Sequence, residues 1–512
     1  MSKKIFRMIL CGLLIAAMLL PGCAQPAQTT DREKETTPAS SEVAETTTGE
    51  KDPFKGKSLL VVGDMVTVGA KTDGGDLRGW AEIVAEERGM TVKNAANVEA
   101  AVSAAAGTSQ ISAQIEAEKG NSYDFVLIEG GVNDAVKAVD IGRIVSKSAA
   151  ETKDEDLDKE TYAGGYEYLL KKAKEAFPDA VVGCVIAGRM TSQKGCVSDM
   201  RRFAQTVSLA GKKWGVPVLD LYNSETFEEE YMPKSLKHVK NDRITPNAAG
   251  HEIYGSYISA FLDEITGREY EPVFEIGPGT CDVGEVLNGK LVVYYGDSIC
   301  DKSSHDYPEK LKTKFFSYAG RITEMYGTRD FNRGKSGASL STVRQGNFII
   351  SQTRADQRRK VDMIVIEGGV NDAWDSAPVG EVSDMTAENF DKSKLDKSTM
   401  AGGLEELLWT LKTNHPEAVI VYMINFKLNS SIGKLNSMTH YVETIKELCD
   451  KWGVPYLDLY NDGWFNARFD ITSKTHSTDG VHPNGPGYDM LAPVLAEFMA
   501  DEYVKAKPEV LK

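Results

Sequence analysis

The chain is poor in the residues that staple small domains or hold metals. Its seven cysteines are odd in number and loosely spaced, and none form a CxxC pair. That pattern argues against a disulfide framework and against a metal site, and leaves buried or free thiols. Positive charge is also short: 59 Lys and Arg stand against 75 Asp and Glu, a formal net charge of −16. Nucleic-acid partners, which call for a basic face, are therefore not expected. Long apolar runs are missing as well. The thirteen residues 8–20 fall short of the roughly 20 that a spanning helix needs. What is present is ordinary globular material, 41% hydrophobic and 26% charged. With 512 residues, the chain is too long for one common domain and suits two of a little over 200 each.

The short apolar run follows Lys3, Lys4 and Arg7 and ends in Leu20-Pro21-Gly22-Cys23, the layout of a signal peptide over 1–22. A cysteine directly after a small residue resembles the lipobox of bacterial lipoproteins, with Pro21 departing from the usual residue. The resemblance implies that Cys23 is lipidated and becomes the new N-terminus, on the extracellular face of the cell membrane. An ordinary cleaved signal, or an uncleaved anchor with Cys23 incidental, is the plainer reading. Residues 23–56 are rich in Thr, Glu, Ala and Ser, with almost no large apolar side chain until the last few positions. Such a stretch cannot bury a core and reads as a disordered tether.

The rest of the chain is written twice. "FVLIEGGVNDA" (125–135) returns as "IVIEGGVNDA" (364–373), "KWGVPVLDLYN" (213–223) as "KWGVPYLDLYN" (451–461), and "YAGGYEYLL" (162–170) as "MAGGLEELL" (400–408), each 238 residues on. One shift across three motifs means tandem domains. We place the first at 57–268, a linker at 269–289 and the second at 290–512. In the second copy, 291–296, 363–369, 418–424 and 455–460 are short apolar runs rich in Val, Ile and Tyr, as expected of strands buried on both faces. Met438, Tyr441, Val442, Ile445, Leu448, Cys449 and Trp452 fall on one face of a helix. Strands alternating with helices predict a parallel sheet covered on both sides, with ligands at the carboxyl ends of the strands.

The polar motifs of the second copy cluster at those ends. Gly296-Asp297-Ser298 closes the first strand, "NRGKSGAS" (332–339) follows a short one, and Asn371-Asp372 follows the third. Asp479 and His482 precede the last helix. A serine needs a base, an imidazole titrating near about 6.5 supplies one, and a carboxylate orients it. Backbone N–H groups beside glycine and a side-chain amide can hold an oxyanion. Singly, each motif reads as a turn or loop. Together, in this order, they are a nucleophile, a base, an orienting group and donors.

This set resembles the SGNH hydrolases, also called GDSL esterases and lipases, over essentially the whole second copy. The resemblance implies two flavodoxin-like three-layer α/β/α domains with parallel sheets. It implies Ser298 as nucleophile, His482 as base and Asp479 as its partner. It places the oxyanion donors on Ser298, Gly337 and Asn371, and implies no cofactor and no metal. Ser339 stands where threonine is more usual. Cys300 is expected to pack behind the turn, and His476 lacks an aspartate at the family spacing.

In the first copy Met65 replaces the serine, Glu99 the glycine and Thr245 the histidine, while Asn133 and Asp242 survive. A thioether has no proton to give and threonine is no base near neutral pH, so this copy is expected to be catalytically dead. Thr67 and His251 are the nearby groups a rearranged site would need. The reading that follows is a surface-anchored serine esterase acting on short acyl esters, O-acetyl groups of carbohydrates foremost. The segment 373–396 is long, acidic and without an extended apolar flap, and Trp374 offers a ring for a sugar to stack on. A lipase or lysophospholipase, and a non-catalytic surface glycan-binding protein, are the alternatives.

Overall fold

The computed structural model describes residues 52–71, 77–190, 200–231, 237–301, 317–429, 438–472, 475–477 and 479–511. The signal segment, the lipidation residue Cys23 and nearly all of the tether lie outside them. Each copy forms a lobe around one five-stranded parallel sheet. The first holds β1 Ser58–Val62, β2 Thr91–Asn94, β3 Phe125–Glu129, β4 Val181–Ile186 and β5 Val218–Asp220. The second holds β6 Leu291–Tyr295, β7 Arg329–Asn332, β8 Met363–Glu367, β9 Val419–Ile424 and β10 Tyr456–Asp458. The spatial orders are β2-β1-β3-β4-β5 and β7-β6-β8-β9-β10. This is the flavodoxin-like 2-1-3-4-5 order, with helices on both faces, as expected.

The reason these runs become strands is visible in their burial. Every residue of the central strands β3 and β8 is buried, so an apolar side chain is favoured at each position rather than at alternate ones. The edge strands β2 and β5 are only partly covered. The helix Met438–Trp452 buries the seven residues of the predicted stripe and no others. The repeated Ala-Gly-Gly motif opens the helices Tyr162–Ala176 and Met400–Asn414. Thr161 and Thr399 cap them by accepting from the N–H of Gly164 and Gly402, worth about 1 kcal/mol each. A side chain at Gly403 would stand 2.2 Å from the carbonyl of Leu340. The glycine is what lets this helix approach the loop after β7.

The spacing between copies is not uniform. β1 and β6 start 233 residues apart (Ser58, Leu291), the starts of β4 and β9 238 (Val181, Val419), and the Asn caps of the last helices 237 (Asn247, Asn484). The first crossover is therefore longer in the second lobe. The stretch read as linker contains a helix of its own, Val283–Leu287, capped by Asp282. It packs on the second-lobe helices Tyr318–Tyr326 and Gly485–Ala506. Cys184, Cys281, Cys300 and Cys449 are buried and unpaired; Cys11, Cys23 and Cys196 lie outside the described residues. Among the described residues no helix is long and apolar enough to cross a membrane.

Candidate active site

β6 ends in a turn that a side chain could not enter. A Cβ at Gly296 would lie 2.6 Å from the Cβ of Cys300 and 2.7 Å from Oε2 of Glu367. Gln352 clamps this glycine on both sides: Oε1 accepts from its N–H at 3.1 Å and Nε2 donates to its carbonyl at 2.8 Å. The turn presents Ser298, 7% exposed, to the loop before the last helix. There His482 Nε2 lies 2.8 Å from Ser298 Oγ, and its Nδ1 lies 2.6 Å from Asp479 Oδ2. A proton on Nδ1 facing the carboxylate leaves Nε2 to accept from the serine hydroxyl. Burial alone would raise the Asp479 pKa. Hydrogen bonds from the His482 ring and from the backbone N–H groups of His482 and Val481 overturn that and hold it well below the carboxylate range. The loop is locked from within, since Ser477 Oγ donates to the carbonyl of His482 at 2.8 Å and accepts from Gly480 N–H at 2.9 Å.

Asn371 lies one residue into the short helix Val370–Trp374 rather than on the strand itself. Its Nδ2 donates to the carbonyl of Ala338 at 2.8 Å and to Asp297 Oδ2 at 3.2 Å. It thereby joins the segment of Gly337 to the segment of Ser298. Gly337 has φ +77°, and a side chain there would meet the Arg344 guanidinium at 3.0 Å. Asp372 serves the fold instead, accepting from Leu340 and Ser341 N–H at 2.8 Å each. At the rim, Trp374 and Val343 are 42% and 39% exposed. Their chain neighbours Asp375 and Arg344 form an ion pair, and Arg344 also donates to the Gly337 carbonyl at 3.2 Å.

Sequence reading missed the groups beneath the serine turn. Glu367 accepts from Asp297 N–H at 3.1 Å and from Asn425 Nδ2 at 2.5 Å. Asp297 itself accepts from Ile299 N–H at 2.9 Å. Burial pushes Asp297 up to about 6. Burial and the neighbouring Asp297 charge push Glu367 well above its ordinary value. Both shifts favour the protonated form of the pair, because burial penalises the charge and each carboxylate would face the other. The available signal was a glutamate at the same place in both copies of "IEGGVNDA". Cys300 is fully buried with its thiol toward Asn332, as expected. His476 accepts from Asp470 N–H at 3.0 Å and stacks on Phe469.

Among the described residues the first lobe brings no such set together. Thr245 Oγ1 donates to Asp242 Oδ2 at 2.5 Å, and Met65 packs against the core where the serine stands in the other lobe. Asn133 Nδ2 donates to the carbonyls of Val98 and Ala100 at 2.9 and 2.7 Å. Glu99 is exposed. The spare candidates are committed elsewhere: Thr67 donates to Glu129 at 2.7 Å, and His251 accepts from Trp80 N–H at 3.3 Å. Burial pushes the His251 pKa down to about 3.

A parallel α/β/α sandwich with a serine, a histidine and an aspartate in hydrogen-bonded series at the strand ends defines a serine hydrolase fold. The model of the GDSL-like lipase/acylhydrolase family matches both copies, over residues 61–253 and 294–490. The chain belongs to that family, as a tandem duplication. Curated proteins give no match. Solved structures do. A protein from Lactobacillus plantarum is 23% identical over 42% of this chain and 97% of its own, with a TM-score of 0.34. The acetylxylan esterase Axe2 from Geobacillus stearothermophilus is 17% identical over 43% and 96%, with a TM-score of 0.29.

Proposed function

We propose that the chain is a surface-anchored serine esterase whose second lobe alone removes short acyl groups, O-acetyl foremost, from carbohydrates. The observation that carries this is the unbroken Ser298–His482–Asp479 series, set against Met65, Thr245 and Asp242 in the first lobe. Ser298 Oγ attacks the ester carbonyl carbon while its proton passes to His482 Nε2, and Asp479 supports the imidazolium. The oxyanion accepts from the N–H of Ser298 and Gly337 and from Asn371 Nδ2, displacing that amide's longer contact to Asp297. Collapse breaks the bond from the carbonyl carbon to the sugar oxygen, which takes the proton from Nε2 and leaves as a hydroxyl. Water then repeats the sequence on the acyl-serine and releases the acid.

The acyl preference is supported by the segment that follows Asn371. The 373–396 segment is acidic and hydrophilic, and Trp374 is an exposed aromatic at the rim, fit to stack on a pyranose. Lipidation at Cys23 would hold the esterase among wall and environmental polysaccharides. The test is acetate release from a panel of acetylated glycans by wild type and Ser298→Ala, with p-nitrophenyl acetate and palmitate run alongside. Release by wild type alone, with acetate preferred to palmitate, is expected. Preference for palmitate supports the lipase reading instead, and no turnover with tight glycan binding supports the binding-protein reading. Full activity in Ser298→Ala ends the assignment of the nucleophile.

A further inference from the structure

The first lobe has lost the chemistry but not its hold on the second. The short helix Gly463–Arg468 leads directly into the loop that carries Asp479 and His482. From that helix Trp464, 2% exposed, reaches into the first lobe, where its Nε1 donates to the carbonyl of Val139 at 3.0 Å. The first-lobe Arg202 lies over its ring at 4.4 Å and pairs with Glu497 of the second lobe at 2.8 Å. Arg468, one turn on, lies over the same ring at 4.6 Å.

The duplication shows that this contact is built. The counterpart of Val139 is Ala377, 238 residues on, and its carbonyl is satisfied inside its own lobe by the hydroxyl of Tyr441 at 2.5 Å. The counterpart of Tyr441 in the first lobe is Phe203, which has no hydroxyl. The Val139 carbonyl thus lacks its local donor and receives one from the other lobe. The counterpart of Trp464 is Thr226, which is exposed. The two differences match: the first lobe gave up a donor and the second gained one that reaches it.

The anchored helix connects to the base through close contacts. Phe465, next to Trp464, stacks on Phe469 at 5.0 Å, and Phe469 stacks on His476 at 5.5 Å. The His476 carbonyl accepts from Asn484 N–H at 3.0 Å, and Ser477 bridges to Pro483 and holds the His482 carbonyl. The first lobe repeats the ring stack with Phe227, Tyr231 and His238, but among the described residues its helix carries no such anchor. The anchor accompanies the lobe whose loop must keep an imidazole within reach of a serine.

We infer that the first lobe is a buttress for catalysis, and that Trp464 is a positioning residue through which it sets the His482–Asp479 loop against Ser298. This rests on the esterase reading of that site. The full chain is tested as Trp464→Thr, the residue of the first lobe, as Trp464→Phe, and as Phe203→Tyr, which offers Val139 a local donor again. Arg143→Gln is the control, since Arg143 joins the lobes at Asp501, 2.6 Å away, faces Glu497 only at 3.8 Å, and makes its hydrogen bonds outside the catalytic loop. On p-nitrophenyl acetate, Trp464→Thr is expected to lower kcat by about tenfold or more at unchanged KM, because small misplacements of a reacting group are costly. The acid limb of its pH profile should move as His482 loosens from Asp479. Trp464→Phe and Phe203→Tyr should each lower kcat about two- to fivefold, the latter from the opposite lobe. Arg143→Gln should lower Tm and leave kcat and the pH profile alone. An active wild type with unchanged kcat and pH profile in Trp464→Phe and Phe203→Tyr overturns the positioning role, as does an Arg143→Gln variant that loses kcat as Trp464→Thr does. A wild type without any ester turnover overturns the esterase reading instead.

Discussion

Replacing Asp479 by asparagine tests the proposed relay where its magnitude can be worked out. Asp479 Oδ2 faces His482 Nδ1 at 2.6 Å, while Oδ1 accepts from Val481 and His482 N–H at 2.9 and 2.8 Å. An asparagine keeping its oxygen on the two N–H groups turns its NH2 toward Nδ1. The imidazole proton is then driven to Nε2, which can no longer accept from Ser298. A wrong tautomer of this kind costs about 10⁴-fold in kcat in a triad, or ~5.5 kcal/mol. The amide can escape by flipping, which sets its NH2 against two backbone N–H donors. Each donor left unsatisfied costs about 1–3 kcal/mol, and the low end applies because the Asp479 side chain is 48% exposed. A flip costing ~2–3 kcal/mol sets a floor of roughly 30- to 150-fold on the loss. Asp479→Asn should therefore lower kcat by about 10² to 10⁴, with KM within about twofold, since the group touches no substrate. Initial rates on p-nitrophenyl acetate between pH 5 and 9, with Tm recorded beside them, make the measurement. The acid limb belongs to His482; the Asp479 carboxylate, held below its ordinary range, stays ionised across that interval. A folded variant retaining a third of the wild-type rate would refute the orienting role.

Asn371→Ala should lower kcat by about 10²- to 10³-fold if its amide is an oxyanion donor; an unchanged kcat, with the loss confined to Tm, would assign it to the fold alone. Met65→Ser should not revive the first lobe in a Ser298→Ala background, because Thr245 and Glu99 still stand where base and donor are needed; any acetate released above the background of that variant sinks the claim. Stability should fall as pH rises from about 4, the ordinary carboxyl range, through about 6, where the folded Asp64 and Asp297 lie. Burial raises Asp64 and Asp297 to about 6, and Glu129 and Glu367 well above ordinary values. The native state therefore keeps protons that the unfolded chain releases, and the cost is complete once the pH exceeds the folded values. Tm recorded across this range should decline, and less steeply in Glu129→Gln; an identical slope in that variant counts against the pairs.

The central strands could be read from the sequence because burial on both faces writes an unbroken apolar run, and the Met438–Trp452 helix because its one buried face writes a 3.6-residue period. The Ser298, His482 and Asp479 set was legible because its motifs are short and local. Less was legible where partners are distant. The Asp297–Glu367 contact spans 70 residues and the Trp464–Val139 contact 325; no periodicity or spacing announces either. Glu367 reads simply as the polar end of a strand, and Trp464 as one more core aromatic. The helix Val283–Leu287 lies within a Gly- and Pro-bearing stretch read as linker, because its five residues are too few to show a period.

The two lobes also separate what the fold needs from what the chemistry needs. Both keep the glutamine clamp on the first glycine, Gln114 on Gly63 and Gln352 on Gly296. Both keep a lysine on a fully buried glutamate with a tryptophan donating to the same carboxylate, Lys213–Glu167 with Trp214 and Lys451–Glu405 with Trp452. Both keep an aspartate gathering two backbone N–H groups, Asp134 and Asp372. Features kept in a lobe where Met65 stands in place of the serine serve stability, since their loss would leave buried polar groups unpaired. The asparagine is the instructive case. It is retained in both lobes, yet Asn133 gives both amide protons to the carbonyls of Val98 and Ala100, while Asn371 gives one to Ala338 and the other to Asp297, beside the serine. The motif asparagine therefore does not fix its own partners. What distinguishes the lobes is where the amide points, and that follows from whether a carboxyl under the serine turn is free to receive it. In the first lobe Asp64 is already taken by the N–H groups of Gly131 and Val132.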